Sequence, residues 1–302
     1  MKWIHLRWNQ FWFEPTSGID LAVCRILFFG GMFGHYFSED FSAWNRVSPM
    51  HWQPIDLFTL FRLEPTPAIA WLQVVWKGSL LSAAVGWKTR WSSLVAFILG
   101  IYLIGLPHNF GKVDHYDAIF VVALGVMSIA RSGDRLSVDS RGKGSKGSMS
   151  AEYRWPIQLV CVMMVFMYVA SGLSKLRHSG VAWFGSEYLA TVFFNHAYRH
   201  QAASSIGPYL AQYPSLLFLM SVGTIIVELG MAGALFSRTL RFVMVPAAYA
   251  LHVSIFLLMG PRFLALAIVF VFWVPWNDWL YSRVSGRSAG QNPLTCGRPN
   301  VH

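Results

Sequence analysis

The sequence predicts an all-α, polytopic integral membrane bundle of about eight transmembrane helices. Three observations carry that expectation. Hydrophobic residues make up 55% of the 302 and charged residues only 13%, whereas a water-soluble domain carries about a quarter charged. The apolar residues gather into eight runs close to the ~20 residues that a bilayer-crossing helix needs. The basic residues fall mostly in alternate connections between those runs, as membrane topology demands. A disordered chain is excluded by the same composition, because so apolar a sequence could not stay solvated.

The runs are 18–37, 67–86, 91–107, 115–131, 155–175, 213–236, 240–259 and 263–280. Ahead of the first, Glu14, Pro15 and Asp20 interrupt any signal-peptide core and no small-residue cleavage site follows, so the first helix is expected to be retained. With the N-terminus inside, the inner segments hold fifteen of the 24 Lys and Arg and the outer segments seven, Arg25 and Lys77 remaining within spans. The bias puts both termini in the cytoplasm, and an even number of spans agrees. A bacterial cytoplasmic membrane is the expected location. The net charge of +10 is thereby assigned to topology, and nucleic acid is not an expected partner. Cys24, Cys161 and Cys296 lie far apart with no CxxC or zinc spacing, so no disulfide framework is implied.

The chain reads as a single transmembrane domain over 1–302, without internal repeats. Residues 132–152, rich in Gly, Ser and Lys, read as a flexible cytoplasmic loop, and 281–302 as a cytoplasmic tail. Two outer segments are different. Residues 38–66 carry Trp44, Trp52, Phe58 and Phe61, and residues 176–212 carry Trp183, Phe184, Phe193 and Phe194. They are too aromatic for solvated loops and too broken to span, so they are expected at the interface or folded back over the helices.

Ionisable residues within spans cost about 2.5–3.5 kcal/mol each at mid-helix and need a partner or a role. Counted from the inner helix ends, Arg25, Lys77 and Glu228 fall in one layer roughly 10–14 Å deep. They read as a buried ion-paired network that locks helix packing, with a proton or ion route as the alternative. The outer half holds His108, Asp114, His115 and Asp117 around the fourth span, Lys175, Arg177 and His178 at the end of the fifth, and His252 within the seventh. Each histidine alone reads as a satisfied core residue; several converging from three helices read as a site.

Lys175 follows an apolar run in YVASGLSKLRHSGVAWF. It either snorkels to the headgroups or points into a dry cavity, where a neutral amine can act as a base. Just before it, Ser171 and Gly172 let another helix approach closely. His196 and His200 are spaced i, i+4 as two helical metal ligands would be, but no HExxH frame or third ligand accompanies them, and no metal is expected. P-loop, GxGxxG, GxSxG and CxxCH motifs are absent from the sequence, which argues against nucleotide chemistry.

The stretch YVASGLSKLRHSGVAWFGSEYL resembles the G-x-x-K-L segment of the vitamin K-dependent gamma-carboxylase family, whose membrane portion is the horizontally transferred transmembrane (HTTM) domain. DLAVCRILFFGGMFGHYF resembles its first helix with an embedded arginine. KVDHYDAIFVVALGVMSIARSGDRLSVD resembles its histidine-led helix, which ends in a Gly-Asp turn and Ser-x-Asp. ELGMAGALFSRTLRFVMVPAAYALHVSIFLLMG resembles its late helix pair with a histidine. The resemblance covers roughly residues 11–280.

The resemblance implies chemistry. In the carboxylase, the lysine of G-x-x-K-L deprotonates reduced vitamin K, the anion reacts with oxygen, and the strong base formed removes a γ-proton from glutamate so that CO₂ can add. Lys175 matches that lysine, and His115 matches the histidine that assists it. His252, His108 and Trp183 are the expected lining of the cofactor pocket, and vitamin K hydroquinone or menaquinol is the expected cofactor. This chain departs in two ways: Ser174 stands where the family has a second lysine, and no extramembrane domain follows the last span. A partner that supplies such a domain is one expectation. A non-catalytic transporter or assembly subunit on the same scaffold is the competing one.

Overall fold

The computed structural model describes residues 2–111, 116–141, 149–199, 204, 206–260 and 263–285. It is nearly all helix, joined by short 3-10 turns and one two-stranded ribbon. The helices are α1 (Lys2–Phe13), α2 (Gly18–Tyr36), α3 (Asp56–Leu60), α4 (Ile69–Val85), α5 (Thr89–Gly105), α6 (Tyr116–Ile129) and α7 (Arg154–Ser179). They continue with α8 (Ser186–Tyr198), α9 (Ile206–Leu210), α10 (Pro214–Ala234), α11 (Arg238–Met259), α12 (Ala267–Phe270) and α13 (Trp276–Ser285).

Among the described residues, five helical stretches are long and apolar enough to cross a membrane: Gly18–Tyr36, Thr89–Asn109, Ala151–Phe184, Pro214–Ala234 and Arg238–Met259. Three more, Ile69–Val85, Asp117–Ile129 and Phe263–Trp273, are apolar but shorter. The run expected as an eighth continuous span, 263–280, is broken. A four-residue helix sits between two 3-10 turns, Val274 is extended, and α13 starts only after Pro275. Proline disfavours helical backbone in the residue before it, and hydropathy averaged over the run hides that break.

One large apolar core joins α2, α4, α5, α6 and α7 with the 263–273 segment. Trp76 is its largest fully buried side chain, and its indole N–H donates to the Ala96 carbonyl at 2.9 Å. Two glycines set how closely α5 and α6 approach. A Cβ at Gly100 would meet Leu124 Cδ1 at 2.8 Å, and one at Gly125 would meet Phe97 at 2.9 Å. A second, smaller cluster joins Leu189 and Phe193 of α8 to Leu217 and Leu258, so α8 folds back against α10 and α11.

Residues 38–66 also return to the bundle. Phe41 and Phe58 are buried in the main core, and the Ile55 amide donates to Asn109 Oδ1 at 2.9 Å. The N-terminal α1 lies against α7, where Arg154 Nε and Gln158 Nε2 both donate to the Phe11 carbonyl.

The first part of the segment read as a flexible loop is folded. Arg25, fully buried, donates to the carbonyls of Ser132, Arg135 and Leu136. Asp139 accepts from the backbone N–H groups of Lys88 and Thr89 at 2.9 and 2.7 Å, which caps α5 from outside its own helix. Strand β1 (Thr16–Ser17) pairs antiparallel with β2 (Met149–Ser150) beyond it. Gly86, at φ +75, makes the tight turn beneath: a Cβ there would collide with Ser137 Cβ.

Candidate functional site

The G-x-x-K-L segment forms the last turns of α7. Tyr168, Ser171, Gly172 and Lys175 fall at i, i+3, i+4 and i+7, one face of a helix. That face meets α10. A Cβ on Gly172 would lie 3.0 Å from Leu229 Cδ2 and 3.2 Å from Glu228 Cβ, so the glycine allows the two helices to touch at the level of the charged residues, as small residues do in membrane bundles.

At that contact Lys175 Nζ donates to Glu228 Oε1 at 2.6 Å and to Ser171 Oγ at 2.7 Å. Ser171 Oγ donates to the same carboxylate oxygen at 2.9 Å. The three polar groups close a triangle. The Glu228 side chain is only 7% exposed and that of Lys175 24%. Trp183, in the 3-10 turn after α7, puts its ring 5.4 Å from the ammonium, within cation–π range, while its indole N–H donates to the Ser221 carbonyl on α10. One helical face upstream, the Tyr168 hydroxyl shares a short hydrogen bond with His252 Nε2 of α11. His252 also lies 5.5 Å from the Phe263 ring.

Several polar atoms around this arrangement are buried and have no hydrogen-bond partner among the described residues: Glu228 Oε2, Ser221 Oγ and His252 Nδ1. Most buried polar groups in proteins are satisfied, so these three, on α10 and α11, are exceptions beside the face of α7 that carries Lys175.

The structure thus joins three of the expected site residues. Trp183 abuts Lys175, and His252 joins the same α7 face through Tyr168. His108 has a different neighbour, its Nε2 lying 3.1 Å from Asp117 Oδ2, and the Tyr36 hydroxyl donates to the other oxygen of that carboxylate. His115 lies outside the described residues, as do Asp114 and His200. Among the described residues no group of three or more His, Cys, Asp or Glu side chains is placed to hold a metal. Ser174, the position of the missing second lysine, bonds His178.

The expected layer of Arg25, Lys77 and Glu228 does not form as one network. Arg25 binds backbone carbonyls of the 132–136 turn. Lys77 Nζ donates to the carbonyls of Phe37 and Glu39 beyond the end of α2. Glu228 pairs with Lys175, a residue assigned to the other half of the membrane. The signal missed was helix direction. Every Cα–Cβ bond leans toward its own helix's N-terminus, so Lys175 reaches back down α7 to Ser171 and Glu228 instead of outward.

The HTTM domain model matches residues 13–279. The chain belongs to the HTTM domain family. The matched span includes every residue of the Lys175 site and stops just short of the end of α13. No curated protein and no solved structure matches this HTTM chain.

Proposed function

We propose that this multi-pass membrane protein is a quinol- and oxygen-dependent enzyme of the carboxylase or epoxidase type, with the Lys175–Glu228 pair as its base centre. The observation that carries the reading is Lys175 Nζ held 2.6 Å from a buried glutamate at the G-x-x-K-L position, within an otherwise apolar bundle. In the carboxylase-like reading Lys175 is the base and His115 assists it.

The surroundings fit a lipid-soluble quinol such as vitamin K hydroquinone or menaquinol. Glu228 Oε2 and Ser221 Oγ are buried acceptors without partners among the described residues, matched to a hydroxyl-bearing head group. Trp183 supplies a flat ring beside the ammonium, and apolar helix walls suit a hydrocarbon body. When bound, a quinol would supply the reducing chemistry toward oxygen. The protein would hold the head group, exclude water and take up a proton.

The finer topology belongs to the same proposal: eight crossings, aromatic-rich interfacial segments on the outer side, and both termini on the cytoplasmic side of a bacterial plasma membrane. A partner that supplies a substrate-holding domain belongs to the same reading. A competing reading, a transporter or assembly subunit without catalysis, has the Lys175–Glu228 pair as a purely structural strut.

Incubating the purified protein with reduced vitamin K or menaquinol, oxygen and bicarbonate tests the enzymatic reading. Epoxide formation that disappears in Lys175→Ala is the expected result. No epoxide from either quinol, or turnover untouched by Lys175→Ala, favours the structural strut.

A further inference from the structure

We infer that the corner between α4 and α5 is a binding site for the headgroup of an anionic phospholipid, with Arg141 as the cation that meets its phosphate. The inference is independent of the enzymatic reading and uses only the chain's place in a bilayer.

The turn after α6 builds the site. The Val138 and Asp139 N–H groups donate to the carbonyls of Val85 and Gly86 at 3.2 and 3.0 Å, which ties the turn to the end of α4. Arg25 holds the Leu136 carbonyl, and Ser137 and Ser140 bond each other through hydroxyls and backbone amides. Leu136 and Lys88 both have left-handed backbone, at φ +48 and +44, a conformation that persists in non-glycine residues where the surroundings over-determine it. The result is a fixed recess of about 470 Å³, open on one side and lined by Val85, Leu136, Ser137, Val138, Ser140 and Arg141.

Charge singles out this corner. At this end of the bundle Arg131 pairs with Asp134 and Glu152, Arg154 with Glu14, and Arg238 with Asp278. Arg141 has no carboxylate partner among the described residues, and neither have Lys88 and Arg90 at the start of α5. Asp139, the one acid of the turn, directs its carboxylate to the N–H groups of Lys88 and Thr89 and to the Thr89 hydroxyl. A surplus of positive charge therefore stands beside three exposed apolar side chains, Val85, Leu136 and Val138.

The depth is that of lipid headgroups. The stretch Thr89–Asn109 is long and apolar enough to cross a membrane, and its first residue lies at this corner. Trp87 and Trp91 flank it, both exposed, as tryptophans are at membrane interfaces. A guanidinium matches phosphate with a planar fork of donors. The apolar lining suits the glycerol and the first acyl carbons, and the open side lets the tails stay in the bilayer. A free anion has no use for that lining. A zwitterionic lipid brings its own ammonium, which the surplus of positive charge repels, so the occupant is a lipid of net negative charge.

The test places the full chain in phosphatidylcholine bilayers and titrates in brominated phosphatidylglycerol, which quenches the tryptophans it touches; brominated phosphatidylcholine is the reference. Wild type is expected to prefer phosphatidylglycerol. Arg141→Gln should weaken that preference about fivefold, the effect of one basic residue at an anionic surface, and Val138→Asp, which puts a carboxylate in the recess, at least as much. Arg238→Gln removes an equal charge from a paired arginine and should leave the preference unchanged. A lipid-free Tm in detergent equal to that of wild type shows that each variant is folded. Equal quenching by the two lipids in wild type overturns the inference. So does a preference that survives Arg141→Gln, or one that falls as far in Arg238→Gln, since either means that the lipid answers to net charge alone. Inorganic phosphate, compared with chloride at equal ionic strength, is expected to leave the preference intact. Its loss to phosphate marks a site for a free anion and overturns the lipid assignment.

Discussion

Arg25 and Lys175 are two long cations embedded in the same bundle, and their partners are of opposite kinds. Arg25 is fully buried and bonds three backbone carbonyls of one turn, Ser132, Arg135 and Leu136. Backbone acceptors are fixed and carry no charge to exchange, so this cation pins a segment in place. Lys175 bonds two side chains on two helices, and one of them is a carboxylate whose other buried oxygen has no partner among the described residues. Side-chain partners can change protonation and rotamer. The first site closes the structure, and the second leaves an opening in its hydrogen bonding.

The largest effect that can test this contrast is expected at Arg25. Arg25→Ala leaves three carbonyls without a donor and opens a void beside Gly86, where a Cβ would lie 3.2 Å from the guanidinium carbon. A loss of about 3–5 kcal/mol is expected from the combined cavity and unmet acceptors. Thermal unfolding in detergent measures it, and protease cleavage within 132–141 should rise in step. A small shift in Tm would show that the turn holds itself through Asp139 instead.

Lys175→Met follows, at about 3 kcal/mol, because it strands a buried carboxylate. The double variant Lys175→Met with Glu228→Leu removes both charges, and much of the stability should return. Recovery of stability without recovery of any activity separates the two regions sharply. At Arg25 stability is the function, and at Lys175 it is not. Additive losses in the double variant would mean that the pair is a strut.

How much of this was legible in the sequence follows from the physics each signal uses. Hydropathy located α2, α4, α5, α6, α7, α10 and α11 within a few residues, because burial in lipid requires long apolar runs. Ser171 and Gly172 were readable as a close-approach point, and Gly172 does touch α10. Depth counted from helix ends failed for Glu228. It sits six residues before the end of α10 and yet faces Lys175, four residues before the end of α7. Neighbouring helices do not end level, and a count along one chain segment carries no information about that offset. Helix α1 and the β1–β2 ribbon were missed as well, since elements of two residues, or without a strong apolar face, leave little periodic signal.

Next in size is Gly172→Val. The added methyl groups meet Leu229 and the Glu228 Cβ at distances of 3.0–3.2 Å for the first carbon alone, so α7 and α10 must move apart. Overpacking of this kind costs about 1–3 kcal/mol. Its use lies in geometry: it lengthens the Lys175–Glu228 contact without altering either charge. Menaquinol binding by fluorescence quenching should weaken more than the shift in Tm suggests. An equal effect from a bulky residue at Gly100, which packs α5 against α6 far along the chain, would indicate general loosening instead.

The smallest effect is expected at Lys77, the third cation, and it decides whether partner type or burial separates the first two. Like Arg25 it bonds only backbone carbonyls, those of Phe37 and Glu39, at 3.1 and 2.7 Å. Unlike Arg25 it does so where the contact is exposed. A cation just past the C-terminus of α2 complements the helix dipole, worth about 0.3–1 kcal/mol, and Lys77→Met should cost no more than that in thermal unfolding. All three cations lean toward the N-terminus of their own helix, as the Cα–Cβ direction requires, so their reach is shared and only the partners differ. If Lys77→Met destabilises as strongly as Arg25→Ala, backbone capping itself is decisive and burial adds little. If it is nearly silent, burial of the capped carbonyls sets the cost at Arg25, and the open carboxylate oxygen at Glu228 remains the feature that distinguishes the Lys175 site.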